Sequence, residues 1–440
     1  MDKYTLIQEV QEKQVEFIEL QFTDIQGVMK SVSIPAEELQ KALDGEVMFD
    51  GSSIDGFVRI EESDMYLRPD LDTFLILPWS DYPKEARIIC DIVKANQEDF
   101  EGCPRKALKR AVKKAEEKGW NLQVGAECEF FLFHTTETGE PSLLTHDIAG
   151  YFDMAPHDLG GNARKDIVRT LKELGFEIEA SHHENAPGQH EIDFRYSDAL
   201  KAADDIMTFK MVVRIIARRH GLHATFMPKP SSAFAGSGMH LNLSVNGRDG
   251  KNLFHDPEDE LKMSPLAYSF MAGLLTHAKA FTAVTNPLVN SYKRLTSGFE
   301  APALVSWSSR NRSPLIRVPS SMREGTRIEL RNPDPSSNPY LAICAVLMSG
   351  MDGIEKGMEV PPPENSNLYA LSMEEIVLKG IRRLPVNLFE AVREMEGSSL
   401  MKEALGEHIF MKLMESELGE WGEYSSQISN WEVERYLRKY

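Results

Sequence analysis

His182-His183-Glu184-Asn185-Ala186-Pro187-Gly188-Gln189-His190-Glu191-Ile192-Asp193-Phe194-Arg195 gathers three histidines, three acids and an arginine, and its second half reads as a strand. From His190 on, apolar Ile192 and Phe194 alternate with Glu191, Asp193 and Arg195. Side chains of a strand switch faces at every residue, so the three charged groups are expected on one face. Taken alone, such a face suits the wet side of an antiparallel strand. The pattern recurs at three distant places, and that recurrence changes its meaning.

Leu122–Phe133 is expected to be one apolar strand that carries Glu127 and Glu129 on a single face. In 239–245, Met239, Leu241, Leu243 and Val245 oppose His240, Asn242 and Ser244. In 326–331, Thr326, Ile328 and Leu330 oppose Arg327, Glu329 and Arg331. If the polar faces line one cavity, Glu127, Glu129, Glu191, Glu329 and His240 meet there, with Glu184 nearby. Each pair of carboxylates at ~5 Å repels by about 3 kcal/mol at an effective dielectric near ~20. Several such pairs exceed what a marginally stable fold tolerates, and divalent cations would turn the repulsion into attraction. Five carboxylates with one imidazole form a hard-oxygen set that favours Mg²⁺ or Mn²⁺ over Zn²⁺. Arg294, Arg312, Arg317, Arg327 and Arg331 add planar forks suited to carboxylate and phosphate. Metals beside arginines point to phosphoryl transfer from a nucleotide to a small acid. No Gly-x-x-x-x-Gly-Lys-Ser/Thr loop is present.

The remaining chain frames this centre. With 440 residues, two or three domains are expected. A hydrophobic content of 42% suits a packed core, and a net charge of −19 argues against nucleic acid as a partner. Met1-Asp2-Lys3-Tyr4 opens no signal-like apolar core and no run is long enough to span a membrane, so a cytoplasmic location is expected. Cys90, Cys103, Cys128 and Cys344 show no metal spacing and are expected to be reduced and buried. A short helix over 1–14 precedes strands over 15–22, 28–34, 73–79 and 87–93, with 23–27 as a hairpin turn. Phe49-Asp50-Gly51-Ser52-Ser53 reads as a polar turn. A polar linker over 97–104 suggests one domain over 1–100 and a second over 104–440. Helices are expected from Pro104 to Gly119, over 164–174 and over 199–220. Residues 284–317 read as a long, functional loop, and the chain from 338 onward as mostly helical.

At these residues the sequence resembles bacterial-type glutamine synthetases of the short branch. The resemblance is carried by the 49–53 turn, Glu127-Cys128-Glu129, Gly150-Tyr151-Phe152-Asp153, the 182–194 stretch and Lys229-Pro230 with Gly236-Ser237-Gly238-Met239-His240. It continues through the 286–294 segment, Asn311-Arg312-Ser313, Arg327-Ile328-Glu329-Leu330-Arg331 and Asn338-Pro339-Tyr340-Leu341. It implies an α+β fold: a small β-grasp N-terminal domain, then a larger catalytic domain whose antiparallel sheet forms a polar-lined funnel, with a helical C-terminus. It implies ATP-dependent ligation of ammonia to glutamate through a γ-glutamyl phosphate, in a dodecamer of two six-membered rings with active sites between subunits. Two protein-held Mg²⁺ or Mn²⁺ sites are implied, one on Glu129, Glu184 and Glu191, the other on Glu127, His240 and Glu329. Gly236, Arg294 and Arg331 would grip glutamate; Glu179, Ser244, Arg317 and Arg327 would serve ATP; Arg312 would meet the phosphoryl group in transit. Asp50 would be the base toward ammonium, with Ser53, Tyr151 and Glu184 shaping its pocket, and Glu300 would close a flap over the acyl phosphate. Two other readings are a γ-glutamyl polyamine ligase and a non-catalytic nitrogen-status sensor; the intact ligand set and Asp50-Gly51-Ser52-Ser53 favour neither. Short-branch relatives bind transcription factors, so a nitrogen-regulatory factor is a further candidate partner.

Departures from the family pattern are Ala235 before the glycine, Asn185 beside Glu184, and Thr296-Ser297 before the flap. Asn367-Leu368-Tyr369 resembles the adenylylation loop of the longer branch but lacks its charged surroundings. No AMP is expected on Tyr369, and intact-mass measurement without an increment of one AMP is the check.

Overall fold

The computed structural model describes residues 1–54, 56–57, 63–296, 301–320 and 325–440, apart from the side chains at 81 and 373. Its N-terminal part is a six-stranded sheet in the order Met29–Pro35, Phe17–Thr23, Lys84–Lys94, Asp64–Pro69, Met48–Asp50, with Leu75–Asp81 also paired to Lys84–Lys94. The central pair, Phe17–Thr23 with Lys84–Lys94, is parallel and the other ladders are antiparallel. Ile18, Leu20, Ile88 and Ile92 are fully buried, as the alternation of these strands requires.

The second sheet has eleven strands. Its main path runs Leu222–Thr225, Phe130–Thr135, Gln189–Phe194, Asn121–Cys128, Met239–Asn246, Ile328–Leu330, Ile316–Arg317, Trp307–Ser308. All ladders on this path are antiparallel except the last. The apolar face of Met239–Asn246 (Met239, Leu241, Leu243, Val245) is buried, which leaves His240 and Asn242 on the other side. The helix Ala199–Arg219 buries Ile206, Phe209, Val213 and Ile216, and Asp198 caps its start by accepting from Lys201 N.

Two corrections follow. The run 122–133 is two strands, Asn121–Cys128 and Phe130–Thr135, that part at Glu129 and take different neighbours. The chain between 246 and 284, unread in sequence, holds the helix Pro265–Thr285, packed on Pro339–Glu355. These helices touch through glycines: a Cβ on Gly273 would lie 2.2 Å from Ser349 O, and one on Gly353 2.1 Å from Ser269 O.

The two sheets are tied together by buried polar contacts. Arg105 bridges Asp91 (3.1 Å) and Asp70 (2.9 Å) of the N-terminal region to Asp204 (2.8 Å) of the Ala199–Arg219 helix, and Tyr340 Oη donates to Asp204 at 2.7 Å. Asn338 caps Pro339–Glu355 and donates Nδ2 to the carbonyls of Asp24 (2.9 Å) and Ile25 (3.2 Å), fixing the 23–27 turn. All four cysteines are unpaired and buried, and burial pushes the Cys103, Cys128 and Cys344 thiols up to about 11 or 12. Among the described residues no helix is long and apolar enough to cross a membrane.

Candidate active site

The hairpin of Ile178–His183 and Gln189–Phe194 sets the site. Its register puts His183 opposite His190 and His182 opposite Glu191. Asn121–Cys128 lies against Gln189–Phe194 with Glu127 opposite Asp193, and against Met239–Asn246 with Glu127 opposite His240. Asn242 stands opposite Glu329. Strand parity then aims the acids into one cavity of about 250 Å³. Its lining includes Glu127, Glu129, Glu184, Glu191, His240 and Glu329 together with Tyr151, Gly236, Arg294, Arg312, Arg317 and Arg331.

Within it, donor atoms of Glu127, His240 and Glu329 lie within 4.8 Å of one another, as do those of His182, Glu184 and Glu191. His182 had no assigned role. The signal for it is the tight Pro187-Gly188 turn, which fixes the cross-strand register and so its position opposite Glu191. Glu129 lines the same cavity, but one oxygen is pinned by Gly238 N and Gln189 Nε2, both at 2.9 Å. In the first group His240 Nδ1 is 3.2 Å from Glu127 Oε2, and Asn242 Nδ2 donates to Glu127 Oε1 at 2.8 Å. Glu329, 1% exposed, takes Arg317 at 2.6 Å and Arg331 at 2.7 Å.

Electrostatics separate the two groups. Burial raises the Glu127 carboxyl, but bonds from His240 and Asn242 and the Arg331 charge outweigh it and hold it at about 2. Burial and the Glu184 charge push Glu129 up to about 8, and burial with the Glu129 charge pushes Glu191 well above the carboxylate range. Asp193, whose Oδ1 has no partner, is pushed to about 6 by burial and by Glu127. Acids crowded in this way suit a hard divalent cation, so the residues fit the metals that the sequence implied. Without a cation the folded chain takes up protons that the unfolded chain releases near 4.5. Stability is then fully present below that value and falls as pH rises through about 8. Urea midpoints of the chelated protein at about pH 5 and about pH 8 should differ in that direction, and added Mg²⁺ should remove the difference.

A third group, His146, Asp147 and His190, also lies within ligand distance. Hydrogen-bond logic argues against a metal there. Arg164 can only donate, so His190 Nδ1, 2.8 Å away, accepts, and the ring proton sits on Nε2 with no lone pair to offer. Behind Glu184, both ring nitrogens of buried His183 face acceptors, Glu184 O at 2.7 Å and Asp147 Oδ1 at 3.2 Å. His183 is therefore an imidazolium, and Asp147, which also accepts from Gly188 N at 2.8 Å, is held well below its usual range.

Glu179, Ser244 and Arg327 meet in a second cavity of about 600 Å³, which shares Glu127 and Asp193 with the first. Arg317, expected with them, lies in the first cavity on Glu329. Arg294 donates to the carbonyls of Asn332 (2.8 Å) and Arg331 (3.1 Å). Gly236 admits no side chain: a Cβ would sit 2.2 Å from Pro228 O. Ala235 and Asn185 line the cavity, the latter donating its N–H to Glu184 at 2.6 Å. Arg195, expected on the face of Glu191, falls past the strand end and pairs with Glu177 in solvent. Asp50 and Ser53 line neither cavity; Asp50 accepts from Ser52 N at 2.9 Å and Oγ at 2.7 Å, which holds its carboxyl below the usual range. Glu300 and Ser297 lie outside the described residues.

A family model described as the catalytic domain of glutamine synthetase matches residues 101–436, and one described as its β-grasp domain matches 14–95. The glutamine synthetase of Clostridium saccharobutylicum is 55% identical over 444 residues, covering 100% of each chain. That of Staphylococcus epidermidis is 53% identical over 433 residues, covering 98% of this chain and 97% of its own. Among solved structures, GmaS in complex with ADP matches with a TM-score of 0.89 at 32% identity, over 98% of this chain and 99% of that one. Ligand-free GmaS matches with a TM-score of 0.88 at 33% identity over the same shares.

Proposed function

Because the chain belongs to the glutamine synthetase family, we propose that the residues of its two adjoining cavities divide the work of that reaction. The protein ligates ammonia to L-glutamate, converting ATP to ADP and phosphate, and uses a divalent metal. The observation that carries the assignment of roles is the meeting of two ligand groups in one cavity that shares the walls Glu127 and Asp193 with a second, lined by Glu179, Ser244 and Arg327.

In this reading Glu127, His240 and Glu329 hold one cation, and Glu129, Glu184 and Glu191 a second, with His182 beside it. Bound Mg²⁺ or Mn²⁺ would supply charge neutralisation at the transferred phosphoryl group. Arg294 and Arg331, backed by Gly236, orient glutamate, while Arg312 and Arg317 face the phosphoryl in transit. The γ-carboxylate oxygen of glutamate attacks the γ-phosphorus of ATP and the bond to ADP breaks. Activation is needed because a bare carboxylate repels the incoming nitrogen and would have to expel an oxide. The ammonium, held at Asp50, Ser53, Tyr151 and Glu184, gives Asp50 a proton; its nitrogen then bonds to the acyl carbon, the carbon–oxygen bond to phosphate breaks, and the departing phosphate takes the second proton from nitrogen to leave the amide. A carboxylate kept low by Ser52 is a strong cation holder and a weak base, so the transfer is drawn forward by attack on the activated carbon. Glu300 is the proposed flap residue. Phosphate release from ATP tests the reading: it should require glutamate, and glutamine should form with ammonium. Preference for putrescine as acceptor would instead select a γ-glutamyl-amine ligase.

The boundary between the β-grasp domain and the catalytic domain is placed at 100–104, and a cytoplasmic location is proposed. The position of Asp50 and Ser53 outside the cavities of their own chain supports a ring in which each subunit completes its neighbour's site, and we place the protein in a dodecamer of two such rings. Coexpressing Asp50→Ala with Glu129→Ala chains should then restore activity to roughly a quarter of the sites, because each head-to-tail contact pairs halves at random. No recovery would rule out sharing.

A further inference from the structure

A third cavity, of about 560 Å³, opens where the turn carrying Ile25 and Val28 meets the Ala199–Arg219 helix and the Glu407–Ser426 helix. Much of its wall is apolar: Phe226, Val284, Leu288, Leu341 and Leu413. Two cations stand among them, Lys210 and Arg214, one helical turn apart on the same face. Lys210 is 4% exposed, and among the described residues its one hydrogen-bond partner is Ser337 O at 3.2 Å. An ammonium has three donors, so two of these lack an acceptor. Arg214, at the exposed side, rests its guanidinium 5.2 Å from the Phe226 ring centroid, and the Lys210 ammonium lies 6.0 Å from the same centroid. Neither forms an ion pair with a carboxylate among the described residues. Burial, with the Arg214 charge adding to it, pushes the Lys210 ammonium down to about 8. With no carboxylate paired to either cation among the described residues, an anion would offset the cost of burying them.

We propose that this cavity binds a small monocarboxylate with an apolar body, its carboxylate between Lys210 and Arg214 and its body against Phe226, Leu288 and Leu413. The walls favour that class over a strongly hydrated inorganic anion, which would leave the apolar surface uncovered. They also disfavour a dicarboxylate such as glutamate. Glu420, whose Oε1 accepts from Val289 N at 2.8 Å, lies on the Glu407–Ser426 wall and would repel a second negative charge. Glu417 on the same wall is buried with neither oxygen hydrogen-bonded, and burial pushes its carboxyl well above the usual range. The cavity is separate from the catalytic one, although its wall residues Pro287 and Leu288 precede Arg294 on one segment.

The test is ¹⁹F NMR of 4-fluorophenylacetate with the full chain loaded with Mg²⁺, ADP and glutamine, so that the catalytic cavities are filled. Saturable broadening is expected, and in Arg214→Gln the dissociation constant should rise about tenfold, as loss of a charge-assisted bond requires. Lys210→Met should weaken binding in the same way, while glutamine formation in Arg214→Gln stays at the parent rate. Absence of saturable broadening would overturn the site. So would equal affinity in Arg214→Gln, or displacement by chloride at the concentrations at which phenylacetate displaces the probe.

Discussion

Glutamine formation should be lost in a Glu129→Ala variant while the chain stays folded. Glu129 is 8% exposed and accepts from Gly238 N and Gln189 Nε2. Removing it leaves these donors unpaired, at about 1–3 kcal/mol each. The same change relieves the like-charge crowding with Glu184 and Glu191 that pushes Glu129 and Glu191 up. The two effects oppose each other, so the fold survives. Catalysis has no such offset, because the second cation loses a ligand whose orientation is fixed by two protein bonds. A loss of several kcal/mol of transition-state charge stabilisation is at least about a 10³-fold fall in rate. Glu129→Gln isolates the cause, since an amide oxygen still accepts from Gly238 and Gln189 but carries no charge. It should be as stable as the parent and equally inactive, and calorimetry should show one class of Mg²⁺ site where the parent shows two. Parent-level Mg²⁺-dependent turnover in either variant would refute the ligand assignment.

What the sequence revealed follows from which constraints are local. Met239–Asn246 was legible because burial of Met239, Leu241, Leu243 and Val245 enforces strict parity, and parity alone places His240 and Asn242 on the polar side. The break at Glu129 was hidden because Phe130, Phe131 and Leu132 are all buried and continue the apolar run without a breaker. The kink arises from a distant partner, the bond from Glu129 N to Gly238 O at 3.0 Å. Pro265–Thr285 escaped because a helix buried nearly all round has no polar stripe to betray its period. Its Ser264-Pro265 start, a cap followed by proline at the first helical position, was the available signal. Arg195 was misplaced by extending parity one residue beyond a strand that ends at Phe194. Asp193 acquires its place from its pairing with Glu127, a relation between segments that no single stretch contains, whereas His182 follows from the register of its own hairpin.

Glu329 answers differently from Glu129, because its partners are cations that cannot be neutralised. Its carboxylate, 1% exposed, joins Arg317 and Arg331, and His240 Nδ1 lies 3.6 Å away. Arg331 is 4% exposed, so deleting the acid takes a counter-charge from a guanidinium where water does not reach it. Breaking a buried pair by removing one partner costs about 3–5 kcal/mol, more than any repulsion relieved here. Glu329→Ala should therefore lower the urea midpoint well below that of Glu129→Ala, besides abolishing turnover. Glu329→Gln, whose single amide oxygen still accepts from one of the two arginines, should recover part of the stability and none of the activity. The comparison separates two roles that coincide in one residue: a ligand toward the cation, and a counter-charge that allows Arg331 to remain in the wall of the glutamate cavity. If Glu329→Ala proved as stable as Glu129→Ala, Arg331 would have found another partner, and the wall assigned to glutamate would have to be redrawn.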